Sequence, residues 1–236
     1  MWGFTPLSML VATAVETSGS IEARQFRQIQ VPSKHLIIGH ATTISIGFLI
    51  LLPIGALVAR YRTLNPFWFN IHYFIQTLAA LLIIIGFALG VRSKKDAYDP
   101  GRGNSNIHNG LGIALFVIYI VQFGLGLVIH YIKPSAPPNA RYHRPLQNYA
   151  HGFVGIVIIG LAFYQVRTGY KIEWPMWTGT LAPNGVQIAW GVFLGVSCAL
   201  YAVGLVLLPR QWRNENLPKD AATEMPLMQV NERASA

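Results

Sequence analysis

Residues Asn106–His130 read NIHNGLGIALFVIYIVQFGLGLVIH. Between the polar opening and the closing histidine the run is almost wholly apolar. Crossing a ~30 Å hydrocarbon core as one helix takes about 20 such residues, so this stretch reads as a membrane span. His108 stands at its entrance, and three other apolar runs repeat the arrangement, opened by His40, His72 and His151. An ionisable side chain in lipid is costly unless something partners it. The four histidines are therefore the feature that the rest of the chain has to explain.

Composition agrees with lipid as the solvent. Only 11% of the 236 residues are charged, against about 25% in an ordinary soluble domain. Five segments are long and apolar enough to span: roughly 36–59, 67–91, 107–132, 146–166 and 186–208. Lysine and arginine fall almost wholly between them, so the formal charge of +9 points to lipid headgroups and away from nucleic acid. The single cysteine, Cys198, lies inside the last span, which excludes a disulfide framework or a thiolate metal site within one chain. The fold expected is all-α: an antiparallel transmembrane helix bundle, with four core spans and a fifth beside them.

The domain reading has three parts. Residues 1–34 form a leader, interfacial or disordered; 35–210 form the membrane domain; 211–236 form a polar tail. Pro53 is expected to bend the first span. The stretch holding Trp174, Pro175, Trp177 and Pro183 reads as a long loop before the fifth span. Glycines recur downstream of each histidine, among them Gly55, Gly86, Gly90, Gly124, Gly126, Gly155 and Gly160. They suit close approach of a neighbouring helix or a flat ligand.

Short connections make successive spans antiparallel. His40 and His108 open odd spans and so lie near one membrane face; His72 and His151 open even spans and lie near the other. Paired neutral imidazoles suit zinc, copper or haem iron. A structural zinc site wants four protein ligands, which the loops do not supply, whereas a haem takes two histidines and brings the rest itself. Two haems, one near each face, would make an electron path across the membrane. A simple helix-to-helix hydrogen bond explains one such histidine well but four in this register poorly. His35, His130 and His143 sit at span ends or in loops and read as interface residues.

At these residues the chain resembles the cytochrome b561 family, and in particular the fungal branch in which this core follows a DOMON domain. The resemblance rests on His40 with Pro53-Ile54-Gly55 and Ala59-Arg60-Tyr61, and on Trp68-Phe69-Asn70-Ile71-His72 with Gln76. It continues through His108-Asn109-Gly110-Leu111-Gly112 with Gln122, and His151-Gly152 with Gly155, covering about residues 35–210. It implies two haem b groups, one ligated by His40 and His108 and the other by His72 and His151. It also implies an N-terminal side facing away from the cytosol, and electrons passing from cytosolic ascorbate to a ferric chelate or monodehydroascorbate outside. The 34 residues before the first span are too few for a DOMON domain, and the family's usual sixth span is not found.

Arg60 is the candidate cofactor-binding cation. With Arg62, Arg141 and Arg144 it lies on the face of His72 and His151, where haem propionates or an anionic reductant need positive charge. Lys94, Lys95 and Arg102 are the corresponding cations of the other face. The expected partners are the bilayer and a small-molecule donor and acceptor; a homodimer is left open. No catalytic acid or base is assigned. The rival function is a proton channel or transporter using the histidines as relays. Such a relay would favour carboxylates within the spans, and the five runs contain none.

Overall fold

The computed structural model describes residues 32–96, 106–132, 146–210 and 213. The leader, nearly all of the tail, and the loop residues Arg102, Arg141, His143 and Arg144 lie outside the described residues. Five long helices are present: α1 (Lys34–Arg60), α2 (Trp68–Asp96), α3 (Ile107–Tyr131), α4 (Leu146–Thr178) and α5 (Asn184–Arg210). Each is long and apolar enough to cross a membrane, and no strand occurs among the described residues. The chain is an all-α, multi-pass integral membrane protein.

The first four helices form an up-down-up-down bundle in which α1 pairs with α2 and α3 with α4, and the two pairs meet along α1–α4 and α2–α3. Its core lies halfway along the helices and is built from Phe48, Leu52, Ala79, Ile83, Leu115, Tyr119, Ile158 and Ala162. Association in lipid gains little from hydrophobicity, so close backbone approach at small residues has to supply the packing. Ala79 and Ala162 are fully buried at these contacts. Phe74, Ile113, Val121, Phe153 and Val192 point outward as the lipid-facing belt.

Two prolines shape the bundle in the same way. Pro53 has no N–H for the carbonyl of Leu49, and its ring crowds that oxygen. Helix α1 responds upstream with a π turn over Ile46–Leu51 before resuming as an α-helix. A π turn takes up one extra residue without breaking the helix, so the expected bend is met by widening. The same device precedes Pro175, where Gly169–Glu173 is a π turn.

That second π turn corrects the sequence reading of Trp174, Pro175 and Trp177 as loop. The fourth helix continues through them to Thr178, because Pro175 falls in the first turn of the resumed helix, where no N–H is required. It stops at Gly179, whose φ of 69° lies in the left-handed region and whose N–H bonds the carbonyl of Pro175 at 2.9 Å. The extension places one carboxylate, Glu173, inside a membrane helix. Its oxygens accept hydrogen bonds from Asn106 Nδ2 and Trp177 Nε1, both at 3.1 Å.

Helix α5 flanks the bundle. Trp190 Nε1 donates to the carbonyl of Phe163 at 2.9 Å, Arg60 Nε to Gly204 at 3.0 Å and Tyr61 Oη to Leu200 at 2.6 Å. Interhelical hydrogen bonds in membranes average about 0.6 kcal/mol each, so these three hold α5 modestly.

Candidate functional site

His40 lies two turns into α1, and its Nδ1 is 2.7 Å from the carbonyl oxygen of Gly86 on α2. A carbonyl only accepts, so Nδ1 carries the proton and Nε2 keeps its lone pair. His72, at the start of α2, makes the reciprocal bond to Gly55 of α1 at 2.8 Å, with the same consequence. His108 Nδ1 lies 2.9 Å from Thr168 Oγ1, and that hydroxyl donates to the carbonyl of Gln165 at 2.8 Å. The hydroxyl proton being spent there, His108 Nδ1–H is the donor to Thr168. Three of the four histidines are thus held in one tautomer, with the Nε2 lone pair available to a ligand-accepting group; metal-ligating histidines generally have their other nitrogen fixed in this way.

The backbones of the remaining pair are also tied reciprocally. Gln122 of α3 donates to the carbonyl of His151 at 2.5 Å, and Gln165 of α4 to the carbonyl of His108 at 2.6 Å. Both glutamines are buried. Their positions expose a repeat: Gly86, Gln122 and Gln165 each follow the histidine of their own helix by fourteen residues. Gly55 follows His40 by fifteen, the π turn of α1 accounting for the extra residue.

A second interval repeats with it. Gly90, Gly126 and Gly169 each stand eighteen residues after a histidine. At 3.6 residues per turn that is about five turns, which brings the glycine back to the face that carries the histidine. Each glycine meets the ring of the antiparallel neighbour's histidine. A Cβ at Gly90 would lie 2.7 Å from His40 Nδ1, one at Gly126 3.0 Å from His151 Cε1, and one at Gly169 3.2 Å from His108 Cε1. In α1, Ala59 occupies the equivalent position once the π residue is allowed for.

His40 and His108 come together. Their ring centres are 6.4 Å apart with the planes at 82°. That separation leaves room for one metal between the rings, with a nitrogen of each at ~2.0–2.1 Å as in other imidazole sites. A cavity of about 610 Å³ opens around this pair, its walls including Phe87, Phe116, Gln165 and Trp190. Phe87 and Phe116 stack at 3.9 Å as a flat apolar wall. Among the described residues no three His, Cys, Asp or Glu side chains gather as a metal site. A haem needs only two protein ligands, because its porphyrin supplies the rest, and the His40–His108 pair with its apolar cavity fits that requirement.

His72 and His151 sit at the other end of the bundle, each set by its own helix pair. Phe69 and His130 stack there at 3.7 Å, so His130, read from the sequence as an interface residue, bridges α2 and α3. Arg60 faces α5: besides the bond to Gly204, its guanidinium lies 5.8 Å from the centre of the Tyr201 ring. The sequence reading missed Thr168, Gln165, Gly169 and Glu173. The eighteen- and fourteen-residue intervals from His151 were the available signal for the first three of the set, at or beside those positions.

Asn106 starts the α3 arm of the site. Its Oδ1 caps the N–H of Asn109 at 2.7 Å while its Nδ2 holds Glu173. Asn106→Ala is expected to cost about 1 kcal/mol from the lost cap, read as a lower thermal midpoint in detergent. Asn106→Ser, which keeps a capping oxygen, is expected to recover most of it.

Residues 39–175 match the family described as eukaryotic cytochrome b561. Three cytochrome b561 and DOMON domain-containing proteins of Arabidopsis thaliana are similar to the chain. One is 29% identical over 81% of this chain and 45% of its own length. Another is 32% identical over 58% of this chain and 32% of its own, and a third 30% over 73% and 38%. The chain thus spans less than half the length of these curated relatives. No solved structure matches it significantly. Haem b binding and transmembrane electron transfer are general to the matched family. The match takes in all four helices that carry the histidines, and on it the chain belongs to the cytochrome b561 family.

Proposed function

We propose that the chain moves single electrons across the membrane through two b-type haems, one held by His40 and His108 and the other by His72 and His151. The observation that carries the reading is the His40–His108 pair: ring centres 6.4 Å apart, both Nδ1 atoms engaged, and an apolar cavity around them. Bound there, haem iron supplies one-electron exchange whose potential depends on ligands, hydrogen bonds and burial. The chain's own residues do the rest. Gly86, Gly55 and Thr168 fix the tautomer of the imidazoles. Gln122 and Gln165 hold the helix backbone that carries them, and Gly90, Gly126 and Gly169 leave room for the rings. Phe87 and Phe116 give the His40/His108 cavity an apolar wall.

The direction of transfer follows the family resemblance. A cytosolic reductant such as ascorbate would deliver electrons at the His72/His151 end, near Arg60 and Arg62. A ferric chelate or monodehydroascorbate would accept them at the His40/His108 end. The test is the full chain reconstituted into vesicles loaded with ascorbate, with a ferric chelate outside. Reduction of the external chelate that depends on the protein and on internal ascorbate is the expected result. Haem that reduces without any external iron reduction contradicts the proposed path.

A further inference from the structure

The two candidate centres are built on one plan with one local difference. His40 and His72 are held by backbone carbonyls, of Gly86 and Gly55, which no side-chain substitution removes. In the α3–α4 pair the corresponding fourteen-residue position is a glutamine. Its side chain reaches past to the backbone of the facing histidine. The His108 ring is then served by a side chain three residues further along, Thr168. Thr168 is buried, and its hydroxyl is oriented by donating to Gln165 O. The equivalent position on α3, seventeen residues after His108 as Thr168 is after His151, is Leu125, which has no side-chain hydroxyl. The hydroxyl device therefore belongs to one centre.

Resting on the reading under Proposed function, we propose that Thr168, oriented by the Gln165 carbonyl, is a positioning residue that sets the electron affinity of the His40/His108 centre and of that centre alone. Donation from Nδ1–H to an acceptor makes an imidazole a more basic ligand. A more basic ligand favours the oxidised, more positive metal, so the Thr168 bond holds the potential of this centre down. Gln165 contributes a second constraint. Its Nε2 grips the carbonyl of His108, so ring and backbone of the same histidine are tied to one turn of α4.

The experiment is a redox titration of the purified, haem-loaded full chain followed in the visible spectrum, comparing wild type with Thr168→Val and Thr168→Ser. Valine keeps the shape and removes the acceptor. It is expected to move the reduction equilibrium of one haem about tenfold toward the reduced form, the lower end of typical outer-shell effects, equivalent to 59 mV for a one-electron couple. The other haem is expected to stay in place, and serine to restore the wild-type curve. Two unmoved potentials in Thr168→Val at full haem content overturn the proposal, as does an equal shift of both. If valine costs the chain that haem, Thr168→Ser and Thr168→Cys carry the test. The hydroxyl must keep the wild-type potential and the thiol, a weak acceptor, must raise it; equal potentials in the two overturn the proposal. A wild-type chain that binds no haem removes the function proposed above and this inference with it.

Discussion

His108→Ala is expected to remove one of two haems and leave the other, so that haem per chain falls from two to one. His40→Ala is expected to do the same, and the double variant no more than either alone, because the two side chains act on one group. The grounds are the 6.4 Å between the rings and the cavity that surrounds them. His72→Ala and His151→Ala should remove the other haem, leaving the redox behaviour of the first. The check is haem content against protein, with each variant's redox titration identifying the haem that remains. If His108→Ala and His72→Ala lose the same haem, the pairing is wrong. If neither variant loses haem, the histidines are not its ligands.

Gly90→Ala is expected to have nearly as large an effect from a single methyl group. The new Cβ would lie 2.7 Å from His40 Nδ1 and 2.8 Å from its Cε1, closer than carbon atoms approach. The ring must move, and in moving it gives up the bond to Gly86 that fixes its tautomer. Loss of such an outer-shell contact typically weakens metal binding by about 10–100-fold, so the haem at His40/His108 should be lost on purification or bind substoichiometrically. Gly124→Ala is the control. Nothing lies within 4 Å of a Cβ there, and the variant should keep both haems. Equal haem retention in the two variants would mean that the Gly90 approach does not matter to the site.

The fold was legible because its signals are long-range averages. Twenty-residue apolar runs separated by basic loops survive small errors of boundary, and four of the five helices lie close to where hydropathy places them. The fourth did not, and the reason is local. Pro175 and Pro183 argue for a loop, yet a π turn absorbs the first proline. The Glu173 carboxylate then finds partners in Asn106 and Trp177. Glu173 also weakens the argument that the spans carry no carboxylate, although its contacts tie α3 to α4 as a clamp.

The candidate site was legible as four histidines and opaque in its support. Antiparallel counting puts His40 and His108 at the same end, where the structure has their rings adjacent. What counting along one chain does not reveal is which atom of a neighbour meets the second ring nitrogen. The acceptors at Gly86 and Gly55 are backbone oxygens, present at every residue and invisible in composition. Thr168 reads as an ordinary polar residue near a helix end. Its partner relation to His108 exists only across sixty residues of chain. The eighteen-residue His-to-Gly interval was visible in principle, since five whole turns return to one face. Recognising it required knowing that the glycine serves the histidine of the next helix and not its own.

The measurement that tests the central claim most directly is the visible spectrum of the purified full chain, oxidised and dithionite-reduced, with haem counted against protein. Two haems per chain, a sharp reduced α-band and a redox titration that resolves two centres are the results predicted from the two histidine pairs. A chain that stays free of haem when haem is supplied during expression would contradict the claim. It would return His40, His72, His108 and His151 to the proton-relay reading.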